Sequence, residues 1–393
     1  MRKLAVIGLA LVLVASPALA QRGRAERIPP RPALPAGADT NDAMAYYQYG
    51  LSRIQRQPTE AANSFYWATR LMPVWADPYY ARRTALHLEA RQMLWRYVTR
   101  QRGIMNSREV RAIDSLATEA LIRSPFYASR FDRMLLDEAV RFESGGEAWI
   151  SRQRSGDPAF DAWMAFGDAR FELAARLYGE ALKRRPREYF YRAPRARAFY
   201  HLMQFDSAAN ELTLLLEEMR KRDETTLVYR YDSKAMFEYS LGYLYYLMDR
   251  YDDARAAYGR ALEEDLSFHM AHVEMAQIAL HQRDTATALS SLALAVELRE
   301  SDAGVRIRYG DALAAAGRFD EAVAQYRAGI EHEPYFAQLY FNLARSLDRS
   351  GGASDAVVQY RSYLERAPRN RDEIALARQR ISELAGGGGG TPR

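Results

Sequence analysis

Cysteine is absent from this chain of 393 residues, and lysine is rare. Without cysteine no disulfide can form, so packing alone must stabilise the fold, for which a chain of this length is ample. Only four of the 55 basic residues are lysine, an arginine excess that indicates genome base composition rather than selection for phosphate contacts. The formal net charge of +5 is too balanced to predict nucleic acid as the main partner.

The sequence also lacks the motifs that mark catalytic sites. It contains no glycine-rich phosphate loop, GxSxG elbow, HExxH motif or paired-carboxylate motif. We therefore predict a protein that is not an enzyme and that holds no cofactor and no metal. Zinc is the alternative interpretation of His269 and His272, which have Glu274 and His281 nearby. Two histidines three residues apart are a weak signal, so structural histidines are favoured.

Residues 1–20 have the features of a secretory signal peptide. Arg2 and Lys3 form a positive start, residues 4–15 are an uncharged apolar run, and a small-x-small cleavage site ends at Ala20. This pattern predicts cleavage and export to the periplasm or outside a bacterial cell. The alternative is an uncleaved membrane anchor, but the apolar run is shorter than the ~20 residues of a spanning helix. No cysteine follows the cleavage site, so no lipoprotein anchor is expected.

Composition divides the rest of the chain. Residues 21–41 are rich in proline, arginine and alanine and lack apolar periodicity, which predicts a flexible leader. Residues 386–393 begin with five glycines and are predicted to be a disordered tail. The folded body lies between these two segments.

Four alanines spaced 34 residues apart mark the C-terminal half of that body: Ala254, Ala288, Ala322 and Ala356. A bulky apolar residue follows each alanine after four positions: Tyr258, Leu292, Tyr326 and Tyr360. A period of this length is typical of a solenoid, in which each unit is a helical hairpin that cannot bury its own apolar face. Solenoids present binding surfaces more often than catalytic sites.

One unit shows how each position serves the hairpin. Small residues at Gly310 and Ala322 let two helices approach closely, and Gly317 supplies the left-handed backbone at a helix C-terminus. Tyr326 fills the groove to the next unit, and Pro334 cannot continue the helix.

This pattern resembles the tetratricopeptide repeat family. The resemblance implies an all-α, right-handed solenoid of antiparallel helix pairs. It places four regular units at residues 231–368, a divergent helical region at residues 42–230 and a capping helix at residues 369–385. Between Tyr80 and Arg154 the register is lost, and helices without standard hairpins are expected there.

The resemblance also implies that the first helix of each hairpin lines a concave surface where extended peptides bind. The residues carried onto this surface run from aromatic to basic along the array: Tyr239, Tyr243, Tyr246, Gln277, His281, Asp311, Phe341, Arg345 and Arg349. Such a surface is suited to an extended acidic or aromatic peptide, through stacking and bidentate carboxylate contacts. The alternative is that the tyrosines pack between helices. The lysine and asparagine arrangement with which the family grips carboxylates is not reproduced, so binding of chaperone tails is not expected.

A basic stretch runs from Lys183 to Arg187 and continues to Arg192, Arg195 and Arg197, interleaved with aromatic residues. One interpretation is a patch for an anionic polymer or a lipid headgroup. The favoured interpretation is an exposed loop between helices.

Together these observations predict an exported, non-catalytic scaffold that binds an extended protein segment or docks an envelope complex. The alternative is an accessory component of outer-membrane or polysaccharide export machinery, peripherally associated with the envelope. An enzyme with its site between Tyr80 and Arg154 is a distant third.

Overall fold

The structure, a computed structural model, describes residues 28–89, 108–126, 134, 156–227, 231–366 and 369–386. Within these ranges the fold is all-α, with 17 α-helices and no strand. The predicted signal peptide, the glycine tail after residue 386 and most of the stretch between Tyr80 and Arg154 lie outside the described residues.

The first four helices precede the regular array. They are α1 (Ala43–Arg53), α2 (Pro58–Leu71), α3 (Ala76–Glu89) and α4 (Arg108–Arg123). The next four are α5 (Pro158–Gly167), α6 (Phe171–Arg184), α7 (Arg192–His201) and α8 (Phe205–Lys221), with a short 3₁₀ helix at Tyr189–Tyr191 before α7. The array continues with α9 (Lys234–Leu247), α10 (Tyr251–Glu264), α11 (His269–His281), α12 (Thr285–Leu298), α13 (Ala303–Ala315), α14 (Phe319–His332), α15 (Ala337–Arg349), α16 (Ala353–Glu365) and α17 (Arg371–Gly386).

Each of the six hairpins from α5 to α16 turns through one residue in the left-handed backbone conformation. The six residues are Ala169, Met203, Asp249, Arg283, Gly317 and Gly351, with φ between 57° and 87°. At Gly317 the turn closes with hydrogen bonds from the amide of Gly317 to the carbonyl of Ala314 (3.0 Å) and from the amide of Arg318 to that of Leu313 (2.9 Å). These bonds satisfy carbonyls that the end of a helix leaves free. The predicted role of Gly317 is therefore confirmed, and non-glycine residues take the same role in four other turns.

The alanine ladder lies where the two helices of a hairpin cross. Ala254, Ala288, Ala322 and Ala356 have no exposed surface, and the ladder extends upstream to Ala174 and Ala208, which have none either. The facing position of the first helix is equally crowded: a Cβ added to Gly310 would lie 2.5 Å from the ring of Tyr326. Small residues therefore set the distance between helices, and the large residue four positions later fills the space beside them.

The last helix, α17, covers the apolar face of the final hairpin. Ala377 is fully buried, and Ile374, Ile381 and Leu384 pack against the cluster that contains Tyr360. Arg380 also reaches back to α15, where its guanidinium pairs with the carboxylate of Asp348 at 2.6 Å. A solenoid end needs such a cover because its last unit has no neighbour.

The N-terminal segment before α1 packs on the helices. Arg31 lies over the rings of Trp67, Tyr46 and Tyr335, 4.8, 5.4 and 5.8 Å from their centroids. The indole N–H of Trp67 donates to the carbonyl of Pro29 at 3.2 Å. The sequence predicts a mobile leader over residues 21–41; its described part is extended, yet it is held by cation–π contacts that composition does not encode.

Candidate partner-binding face

The 34-residue register places one row of predicted residues on the first helices of four successive hairpins. Tyr243, Gln277, Asp311 and Arg345 occupy the same position of α9, α11, α13 and α15. Gln277, Asp311 and Arg345 are exposed, and Tyr243 is half-buried. Because the repeats stack side by side, equivalent positions of neighbouring first helices form one row across the array. We name these four residues the inner row.

A different register position holds Tyr239 and Phe341, which are both 2% exposed. The equivalent residues of the two intervening units, Val273 and Ile307, are buried as well. Tyr239 packs against Tyr258 and Phe268, and Phe341 packs against Tyr363 and Tyr360. Assigning Tyr239 and Phe341 to the partner-binding surface is therefore wrong, because this helix position faces the neighbouring helices. For these two residues the alternative, packing between helices, is correct.

Three further predicted residues lie near the C-terminal ends of the first helices. The ring of Tyr251 is 5.7 Å from that of Tyr246 and 4.6 Å from that of His281, so these side chains form a small cluster between two units. His281 is exposed and Tyr246 is half-buried. Arg349 is exposed one turn beyond Arg345 on α15.

Asp311 is held in place by two donors from neighbouring helices. Its Oδ1 accepts a hydrogen bond from the hydroxyl of Tyr326 at 2.6 Å and another from Nδ2 of Asn342 at 2.7 Å. Partial desolvation of the carboxyl group by the neighbouring helices raises the pKa of Asp311, and the two hydrogen bonds and the nearby charge of Arg345 oppose that rise. Tyr326 lies on α14 and Asn342 on α15, so this carboxylate ties its own unit to the next one.

The arginines at the end of the inner row differ from Asp311 because, within the described residues, no ion pair holds their guanidinium groups, although the charge of Arg345 acts on Asp311 and Tyr326. Arg345 and Arg349 are exposed, and neither has an ion-pair partner among the described residues. The Arg345 guanidinium lies 5.8 Å from the centroid of the Phe341 ring. Residues four apart on a helix share one face, so the two guanidinium groups are presented together.

The aromatic end of the predicted surface is covered by the chain itself. The ring of Phe126, just after α4, stacks on that of Tyr200 with centroids 4.5 Å apart and lies 6.4 Å from that of Tyr243. The hydroxyl of Tyr239 donates to the carbonyl of Ile122 at 2.9 Å. Sequence reasoning did not identify Phe126 or Tyr200, because no periodic pattern relates residue 126 to the array.

Three of the seven basic residues of this stretch, Arg185, Arg192 and Arg195, form internal ion pairs. Arg192 and Arg195 both bind the carboxylate of Glu211, at 2.8 and 2.7 Å, and the Glu211 side chain is only 6% exposed. Arg185 pairs with Asp157 at the start of α5. Two guanidinium groups around one buried carboxylate are a packing device, which argues against a polyanion patch at these positions.

The three histidines that raised the question of zinc lie on one helix, α11, with His269 and His272 in its first turn. His269 is buried, and its Nε2 lies 3.9 Å from Oδ2 of Asp302. Burial and the nearby Arg299 lower the pKa of His269 to about 4. His281 lies at the other end of the same helix, α11. In the parts of the chain that the structure describes, no group of three potential metal-ligating side chains comes together.

The hairpins, the shared turn geometry and the buried alanine ladder define an α-helical repeat protein. Residues 239–303 and 303–346 match models of the tetratricopeptide repeat family, so the repeats of this part of the chain are supported as tetratricopeptide repeats. Tetratricopeptide repeats in this part of the chain support a protein-interaction scaffold. The comparison with curated proteins found no match.

Several solved structures have a similar fold. YrrB, described as a TPR protein with an unusual peptide-binding site, is 20% identical, with a TM-score of 0.40 over 52% of this chain and 100% of that one. MamA is 18% identical, with a TM-score of 0.38 over 44% of this chain and 94% of that one. The C-terminal part of a TPR repeat-containing protein from Cytophaga hutchinsonii is 14% identical, with a TM-score of 0.45 over 57% and 94% of the two chains.

No helix within the described ranges is both long enough and apolar enough to span a bilayer.

Proposed function

We propose that this protein is an exported scaffold that binds an extended, acidic protein segment along the inner row. The observation that carries this proposal is the pair of exposed, unpaired guanidinium groups of Arg345 and Arg349 at one end of a row of exposed polar side chains. Guanidinium groups bind carboxylates in a bidentate geometry, which gives both affinity and orientation.

The inner row fits an extended segment better than a folded surface. Its members repeat once per unit on parallel first helices, so they offer regularly spaced contacts along a line. Gln277 provides an amide that can both donate to and accept from a peptide backbone. Tyr243, already half-buried against Phe126, leaves less free surface at its end of the row. The acidic part of the partner is therefore assigned to α15, which carries both Arg345 and Arg349.

Binding of labelled peptides by fluorescence anisotropy tests this assignment. The probes are an extended peptide rich in glutamate and the same peptide with glutamine at every glutamate position. We expect the acidic peptide to bind more tightly, with an affinity that falls as salt is added, because exposed charges are screened.

The matched variants are Arg345→Glu and Arg327→Glu. Arg327 is also exposed, but it lies on α14, the second helix of its hairpin. Arg345→Glu should abolish binding of the acidic peptide, whereas Arg327→Glu should leave it close to wild type. Equal losses in both variants would mean that net charge alone drives binding, and the assigned face would be wrong.

Export rests on the signal-peptide pattern of residues 1–20, and its test is separate. Mass spectrometry of the native protein should find Gln21 as the first residue. A retained residue 1 contradicts cleavage. Fractionation then distinguishes a free scaffold from the alternative, an accessory component of export machinery: a membrane-associated pool of the cleaved form favours the accessory role.

A further inference from the structure

The first four helices contact the repeat array along one edge, at the turns that join successive units. Arg70 on α2 pairs with Glu333 at 2.9 Å and donates to the carbonyl of His332 at 3.0 Å, both in the turn between α14 and α15. Trp67, on the same helix, packs edge-on against Tyr335, with ring centroids 5.2 Å apart. These partners are more than 260 residues apart in the chain.

The same pattern recurs at the neighbouring turns. On α4, Glu119 pairs with Arg299, and Arg123 pairs with Asp302 at 3.4 Å, in the turn between α12 and α13. Before α1, Asn41 donates to the carbonyl of Glu365 at 3.3 Å, at the end of α16. Asp42 pairs with Arg369 in the turn before α17.

The contact also extends toward the other end of the array. Arg83 on α3 is fully buried and donates to the hydroxyl of Tyr231, before α9, at 3.2 Å. Residues of α2, α3 and α4, together with the two residues just before α1, therefore contact the segment before α9 and the turns before α13, α15 and α17. Leu121 and Ile122 of α4 also share an apolar cluster with Phe268, in the turn before α11.

In a solenoid each unit normally contacts only its neighbours, so curvature depends on small rotations that add up from unit to unit. An element fixed to several turns at once couples units that are not neighbours. Several of the ion-pair side chains are well buried: Arg123 is 11% exposed, Glu119 is 17% and Asp302 is 7%. Removing one partner of a buried pair leaves an uncompensated charge, which makes such a connection sensitive to single substitutions.

We propose that α1–α4 are an intramolecular brace that fixes the spacing of the inter-unit turns and hence the curvature of the face carrying the inner row. A face held at one curvature loses less conformational freedom on binding, so the brace preorganises it for an extended partner. The conformational claim stands without the proposed function, since it needs no partner to be tested.

The absence of cysteine makes a distance measurement direct, since two introduced cysteines have no competitor in the chain. Asp252 and Ser354 are exposed, at equivalent positions of α10 and α16, three units apart. Spin labels at these positions should give a narrow distance distribution in the full chain. Arg70→Glu, which places two carboxylates together at Glu333, should broaden and shift that distribution.

The charge-exchanged double variant, Arg70→Glu with Glu333→Arg, should restore the narrow distribution. Hydrogen exchange supplies the second readout. In Arg70→Glu the amides of residues 299–302 and of His332, Glu333 and Tyr335 should exchange at least about tenfold faster, the change that corresponds to about 1.4 kcal/mol. The interiors of α10 and α12 should keep their protection.

Three outcomes would overturn the proposal. An unchanged distance distribution in Arg70→Glu, with the turns exchanging faster, would mean that the array holds its curvature without the brace. Unchanged exchange at both turns would mean that the N-terminal helices are not docked there. If Arg70→Glu loses helical signal throughout and the double variant does not recover it, the helices are part of the folding core and not a brace. None of these outcomes bears on peptide binding by Arg345.

Discussion

Replacing Gly310 by alanine should destabilise the repeat array, although alanine is the better helix former. The added Cβ would lie 2.5 Å from Cε1 and 2.7 Å from Cζ of Tyr326. That ring is 1% exposed, and its hydroxyl donates to Asp311 at 2.6 Å, so the ring cannot withdraw without losing the hydrogen bond. Overpacking of this kind costs about 1–3 kcal/mol, and loss of a hydrogen bond to a charged group adds about 1.5–3 kcal/mol.

The helix-propensity gain of about 1 kcal/mol offsets only part of this cost. A net loss of about 1.5–5 kcal/mol in the free energy of unfolding is therefore expected for Gly310→Ala. Gly259 on α10 is the matched control, because a Cβ there meets no atom within 4 Å. Gly259→Ala should stabilise the protein by about 0.5–1 kcal/mol.

The assay is urea unfolding of the full chain followed by far-UV circular dichroism, with hydrogen exchange of α13 and α14 as the local readout. The local readout is needed because repeat arrays can unfold in parts. The prediction is a difference in sign between the two variants. If Gly310→Ala is as stable as wild type, the helices of this hairpin are not as close as the geometry indicates, and small residues do not set their separation.

Three further substitutions test the electrostatics and the turns. Burial alone would raise the pKa of Glu119, but two neighbouring guanidinium groups hold it at about 2. The ionised carboxylate therefore stabilises the fold above pH 4.5, and this stability is lost as the pH falls toward 2. Glu119→Gln should reduce that loss in unfolding curves recorded from pH 5 downward. Burial raises the pKa of Glu333 to about 7, against the opposing charge of Arg70, so the free energy of unfolding should fall as the pH rises from 4.5 through 7. Glu333→Gln should remove this dependence on pH. An unchanged dependence in that variant would mean that another group is responsible for it. Met203 is 76% exposed and has a φ of 58°, a left-handed backbone that costs about 1–2 kcal/mol in a non-glycine residue. Met203→Gly should therefore raise the urea midpoint of unfolding. A lower midpoint would mean that the Met203 side chain stabilises the fold by more than this strain costs.

The parts of the fold that sequence predicts are those that repeat. Ala254 and Ala322 are buried because the two helices of each hairpin cross at the same position. A constraint that recurs in each unit produces a residue pattern with the same period in the sequence. The same register separates Gln277, which is exposed, from Val273, which is buried four residues earlier. Applied consistently, the register would have excluded Phe341 from the partner-binding surface, because residues at its position in the other units are apolar.

The contacts of the N-terminal helices could not be predicted in this way. Arg70 meets Glu333, and Ile122 meets Tyr239, across sequence separations that no local pattern records. Each of these contacts occurs once, so periodicity gives no signal, and single residues such as arginine or tryptophan are equally compatible with solvent exposure.

Some turn residues were difficult to predict for a different reason. Met203 and Arg283 adopt the backbone that glycine favours, so their role shows only in their register with Gly317.

Once the ion pairs are assigned, fewer arginines are available to bind a partner than the arginine-rich composition indicates. Glu211 consumes two arginines, and the buried carboxylate of Glu238 binds Arg260 at 3.0 Å as well as Arg220. An arginine that neutralises a buried carboxylate is not available to a polyanion, so the number of arginines overstates the basic surface. In the proposed function, selectivity depends on the guanidinium groups that have no ion pair within the described residues. Since Arg345 is one of these and stands on the inner row, carboxylates spaced along an extended chain are a better match than a uniformly charged polymer, which would meet Asp311 one unit away.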